Sequence, residues 1–160
     1  MNIYRRVRLF VLGLFPENKQ ALADIRKFGC HIINVLEDNE GPGFGYSIGI
    51  YERTGSPELV VTGLDTKLAA SIINNYNSRI RSGETFEPEH KYADFLEGFD
   101  VMFRPVAKDH FYDYFGWCRW YYSGNNFKVY QLIWPSTSGS WPWDETATDE
   151  YKYFVPHLGG

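Results

Sequence analysis

The side chains able to do chemistry are spread along the chain, and few stand at spacings that a reaction requires. Glu37, Asp38 and Glu40 run into Gly41-Pro42-Gly43, and a hard cation would need three or more convergent ligands from such a stretch. Adjacent acids at a strand end point in different directions, and His31 is the nearest histidine in sequence. A solvated turn is the better reading, so neither a metal nor any other cofactor is expected. Tyr46-Ser47 sets a hydroxyl beside a phenol. A serine nucleophile needs a base, and His31, on the expected partner strand, is the candidate. Gly45-Tyr46-Ser47-Ile48-Gly49 reads as extended strand, not as the sharp turn that exposes a hydrolase serine. Ser47 is therefore expected to be a small residue beneath a packed element.

Gly63-Leu64-Asp65-Thr66 leads into a helix start, where free amides attract anions. The run lacks the glycine spacing of a phosphate loop, and Asp65 would repel phosphate, so Asp65 or Thr66 is read as a cap. His90 falls in a polar, irregular stretch. His157 reaches the region of Trp134, Trp141 and Trp143 only if the tail folds back. Those three tryptophans, flanked by Pro135 and Pro142, are costly to leave in water. One reading is a flap covering the sheet. The other is an aromatic wall of a ligand cleft or a partner interface, with Gln131 and Asp144 as its polar groups.

The elements that must position these residues follow from periodicity. From Phe44 to Tyr51, Phe44, Tyr46, Ile48 and Ile50 fall on one strand face; Gly45, Ser47 and Gly49 fall on the other. A face of glycine and serine has almost no bulk, so a helix, a backbone or a ligand must lie close over it. Glu52 to Pro57 is expected to be a polar turn, followed by a strand over Glu58 to Thr62. His31 to Glu37 reads as a strand, joined to the glycine-rich one through the loop Asp38 to Gly43. Helices are predicted from Pro16 to about Phe28 and from Thr66 to Arg81, the second with Ala69, Ile72, Ile73, Tyr76 and Ile80 on one face. Glu84 to Gly98 looks irregular. Asp100 to Ala107 and Phe127 to Trp134 read as strands, Asp109 to Tyr122 as aromatic-rich helix, and the tail from Pro135 as loop. Residues 3–15 are expected to add an outer strand or a short helix. The sum is a single α+β domain, with a mainly antiparallel or mixed sheet and two or three helices packed on it. Residues 1–28 are expected to form an N-terminal extension with a helix, and 29–160 the domain.

Composition narrows the partners. At 160 residues, one core of ordinary size suffices. A net charge of −4 gives no basic field to recruit nucleic acid, and Arg5, Arg6 and Arg8 alone are a solvated flank. Cys30 and Cys118, the only cysteines, cannot make a zinc site alone and form no Cys-x-x-Cys pair; the alternative is one disulfide, but nothing indicates secretion, so two reduced, packed thiols are expected. The apolar run Leu9 to Phe15 is too short for a membrane span and breaks at Pro16-Glu17. A cytoplasmic protein without a membrane partner is the expectation.

Several segments together resemble an uncharacterised bacterial family, the domain of unknown function designated four-two-six-two. They are Glu37 to Gly49 (EDNEGPGFGYSIG), Pro57 to Leu64 (PELVVTGL), Gln131 to Pro135 (QLIWP) and Gly139 to Trp143 (GSWPW). The resemblance runs from about Gly29 to Leu158. In the family pattern an aspartate tends to follow the Trp-Pro pair, where Ser136 stands here. The resemblance implies domain identity and brings no activity with it. The residues themselves favour a binding or interaction module with an aromatic-rimmed cleft, using Tyr46, Ser47, Glu58, Gln131, Trp134, Trp141, Trp143 and Asp144. Its partner would be a small molecule or a protein, with a second copy of the chain among the candidates. The alternative is a small, hydrolytic enzyme using Glu58, Asp38 or His31 in the same cleft.

Overall fold

The computed structural model describes residues 16–160, so the element expected over residues 3–15 lies outside them. Six strands form one mixed sheet: β1 (His31–Val35), β2 (Phe44–Ile48), β3 (Glu58–Thr62), β4 (Tyr92–Leu96), β5 (Phe99–Pro105) and β6 (Val129–Ile133). Their spatial order is β1-β2-β3-β6-β5-β4. Only the central pair, β3 with β6, is parallel; the other neighbours are antiparallel. The helices are α1 (Pro16–Phe28), α2 (Ile50–Thr54), α3 (Thr66–Arg81), α4 (Phe111–Tyr114), α5 (Gly116–Tyr122) and α6 (Asp149–Phe154), with a short 3₁₀ turn at Lys108–His110. The architecture is the single α+β domain expected, with six helices among the described residues rather than two or three.

Strand alternation sends side chains to two separate cores. Leu59, Val61, Phe103 and Leu132 pack beneath Ile72, Ile73 and Tyr76 of α3. Tyr46, Ile48, Val60 and Val129 face the other way, under Phe111 of α4, Cys118 and Tyr121 of α5 and Phe115 between the two helices, with Ile25 of α1 beside them. Beyond that cluster, α6 covers Ile133 with Tyr151, and Val155 just after the helix joins them. Three long-range bonds bring the tail back over this second face. Thr62 Oγ1 donates to the Phe154 carbonyl (2.8 Å), Gln131 Nε2 to the Pro156 carbonyl (2.9 Å), and the Ala107 amide to the Leu158 carbonyl (2.7 Å).

The low-bulk face of β2 is covered as its composition requires. A side chain at Gly45 would meet Ile73 Cδ1 at 3.5 Å and Ala69 Cβ at 3.6 Å, both on α3. The strand nevertheless ends earlier than expected. Gly49 takes φ 110, a left-handed turn that a side chain disfavours, and the polar segment after it is the helix α2. That turn carries Ile50 into the α3 core instead of leaving it beside Ile48. Two further elements escaped the sequence reading. β4 lies inside the stretch that looks irregular, because Asp94 at φ 67 and a register shift between Tyr92 and Leu96 interrupt its alternation. α6 lies inside the tail, capped by the Thr148 hydroxyl accepting from the Tyr151 amide.

Candidate functional site

The most concentrated polar chemistry surrounds Glu58, the first residue of β3, which is fully buried. Its Oε2 accepts from the Ser47 hydroxyl at 2.5 Å. Its Oε1 accepts from the amides of Gly49 (2.7 Å) and Tyr51 (3.1 Å) and from the Tyr122 hydroxyl (2.5 Å). Ser47 Oγ in turn accepts from the Leu59 amide at 3.0 Å. β2 leaves the ladder at Gly49, so the amides of the turn and of the first turn of α2 have no strand or helix acceptor, and the carboxylate supplies one. Burial pushes the Glu58 carboxyl up from its ordinary value, and the four donors pull it part of the way back. None of those donors carries a charge. The negative charge also helps to raise Tyr122, Tyr76, Cys30 and Cys118, though burial is the main cause at each. Cys30 is pushed up to about 12, and both cysteines are free and buried, so these thiols are inert.

Gly45-x-Ser47-x-Gly49 has the glycine spacing of a hydrolase elbow, and a strand, a turn and a helix follow one another there. The geometry is nevertheless that of a staple. Ser47 lies within the strand and is fully buried, and its hydroxyl meets an acid and an amide with no histidine. Tyr46 is buried as well; its hydroxyl accepts from the Trp117 amide at 3.3 Å. Tyr46, Ser47 and Glu58 line none of the clefts described below.

The tryptophan segment divides into a structural half and an open half. Trp134 donates through Nε1 to the Thr62 carbonyl (2.9 Å), its own carbonyl accepts from Tyr151 Oη (2.6 Å), and the two rings meet edge to face. Asp144 closes the next turn: its Oδ2 accepts from the Trp141 amide (2.7 Å), and its amide donates back to the Trp141 carbonyl (3.0 Å). Ser136 Oγ accepts from the Ser140 amide at 3.0 Å. A carboxylate there could accept the same bond, so this position staples the loop. Trp141 and Trp143 stack with centroids 5.6 Å apart and planes 4° apart. The Arg104 guanidinium lies 4.0 Å over the Trp143 ring, which is 42% exposed.

Beside this stack opens a cleft of about 200 Å³, walled by Pro142 and Trp143, floored by Ile133 and Val155, and edged by Arg104, Gln131 and His157. Register places Arg104 directly opposite Gln131 across β5 and β6. Gln131 is 2% exposed; its Nε2 is spent on Pro156, while its Oε1 makes no hydrogen bond to another described residue. Of the expected site residues, the fold brings Gln131 and Trp143 into one cleft, with Trp141 behind them. Trp134 and Asp144 support the segment, and Tyr46, Ser47 and Glu58 lie in the separate buried network. Sequence reading missed Arg104, because its neighbour across the sheet is far away in the chain and Phe103-Arg104-Pro105 carries no motif.

Two further hollows hold residues that the sequence singled out. A groove of about 780 Å³ runs between Asp24 and Phe28 of α1, His31 and Ile32 of β1, and Ser78 and Arg81 of α3. In it, His31 Nδ1 meets Asp24 Oδ2 at 2.7 Å. A notch of about 300 Å³ exists because Gly43, Gly45, Gly63 and Ala69 lack bulk, and Asp65 already caps the helix that opens there, accepting from the amides of Lys67 and Leu68. In the acidic loop, the Asp38 carboxylate accepts from the Glu40 amide and Glu37 accepts from Tyr153 Oη. Among the described residues no three metal-ligating side chains converge.

A mixed sheet with a closed polar staple and a small aromatic cleft defines a single α+β domain. The chain belongs to the family described as a domain of unknown function (DUF4262), whose model matches residues 24–148. No curated protein and no solved structure matches it.

Proposed function

We propose that this protein is a binding module holding a small ligand in the cleft beside Trp143. The observation that carries this reading is the meeting, around one opening, of a half-exposed indole, a guanidinium, an imidazole and an amide oxygen that makes no bond among the described residues. Such a mixture of flat apolar wall and few polar groups is what small-ligand sites use. The low volume favours a compact ligand or a single inserted side chain. Native mass spectrometry of protein from its own host, beside the Trp143→Ala variant, tests the reading. A retained small mass in the parent that is lost from the folded variant supports it. A variant that keeps the same mass refutes it. A cytoplasmic setting without nucleic acid remains part of the proposal; no helix among the described residues is long and apolar enough to cross a membrane.

One observation favours the enzymatic alternative. Asp24 fixes Nδ1 of His31, which is how a general base is oriented. Turnover of p-nitrophenyl acetate that disappears in His31→Gln, with the fold intact, would move the site to that groove.

A further inference from the structure

We infer that the cleft takes a small planar carboxylate, and that Glu89 occupies the carboxylate's place at Arg104 until the ligand arrives; this rests on the binding-module reading. Arg104 presents two parallel donors to Glu89, Nε to Oε1 at 2.9 Å and Nη2 to Oε2 at 3.3 Å. That fork is the geometry by which arginine recognises any carboxylate. Glu89 is a weakly held occupant. Its side chain is 58% exposed, so water screens the pair. Its backbone stands at φ 66, a region that a glutamate seldom adopts. An incoming carboxylate would make the same two bonds from the cleft, which Glu89 does not line, and gain what Glu89 lacks: contact with the exposed edge of Trp143 and with Pro142 and Ile133. The guanidinium is already held against that indole, so recognition of a planar anion needs little rearrangement. Nη1 of Arg104 and Oε1 of Gln131 make no bond among the described residues, which leaves one further donor and one acceptor for the ligand's substituents.

The test uses sodium benzoate and its neutral isostere benzamide, titrated by calorimetry while the Trp143 indole N–H is followed by NMR. Benzoate should bind at least about tenfold more tightly than benzamide. Glu89→Gln should tighten benzoate several-fold and leave benzamide unchanged, and Arg104→Gln should abolish the preference. Thermal melts establish that each variant is folded. If benzamide binds as well as benzoate at Trp143, the carboxylate inference falls and the binding module stands. If neither compound moves the Trp143 resonance, both fall. If Glu89→Gln weakens benzoate or leaves it unaltered, Glu89 is not the resident occupant and the inference is overturned.

Discussion

Replacing Glu58 removes the acceptor on which four donors converge, and the consequence can be worked out from the geometry. In Glu58→Ala the two hydroxyls retain partners: Ser47 Oγ still accepts from Leu59, and Tyr122 Oη from Glu52. The amides of Gly49 and Tyr51 lose their acceptor. At about 1–3 kcal/mol for each unsatisfied amide, the loss is about 2–6 kcal/mol before any cavity is counted. Against the ~5–15 kcal/mol of a typical domain, this is a large share of the stability. Glu58→Gln behaves differently. Its amide oxygen can accept from Gly49, Tyr51 and Tyr122, while its nitrogen donates to Ser47 Oγ. The pair also reads the charge. With the folded carboxyl raised above its unfolded value, the native state binds the proton more tightly, so stability is full below the unfolded value and falls as pH rises through the folded one. Urea titrations of the parent and Glu58→Gln from about pH 4, near an ordinary carboxyl, upward should show the glutamine variant gaining on the parent as pH rises. A parent that instead gains on Glu58→Gln would mean that the four donors outweigh burial, and the reasoning would be refuted.

Two further outcomes concern packing. Gly49→Val should destabilise by about 2–5 kcal/mol, because a Cβ there meets Ile25 Cγ2 at 2.9 Å and the residue holds φ 110; an unchanged urea midpoint would count against it. Arg81 Nη1 and Asn77 Nδ2 both donate to the Phe28 carbonyl, fastening the end of α1 to α3. Arg81→Ala should cost about 1 kcal/mol and speed amide exchange within α1 more than within α3, whereas uniform acceleration would show that α1 does not open separately.

What the sequence determined unaided was periodic and local. The apolar stripe from Ala69 to Ile80 dictates α3, with Asp65 as its cap, because a helix repeats its face every three or four residues. The missing bulk at Gly45 announces a close neighbour, and α3 is that neighbour. Where alternation is interrupted, as at Asp94 in β4, or a glycine turn converts strand to helix, as at Gly49, the local signal fails. The tertiary structure alone decided the two polar centres. Glu58 and Tyr122 are separated by 64 positions and meet only because α5 packs over β2 and β3. Arg104 reaches Trp143 because β5 pairs with β6 and the chain then folds back across Ile133. Side-chain periodicity records which face a residue occupies. It carries no information on which distant residue shares that face, because strand pairing order and the path of a returning tail are set by the packing of the whole chain.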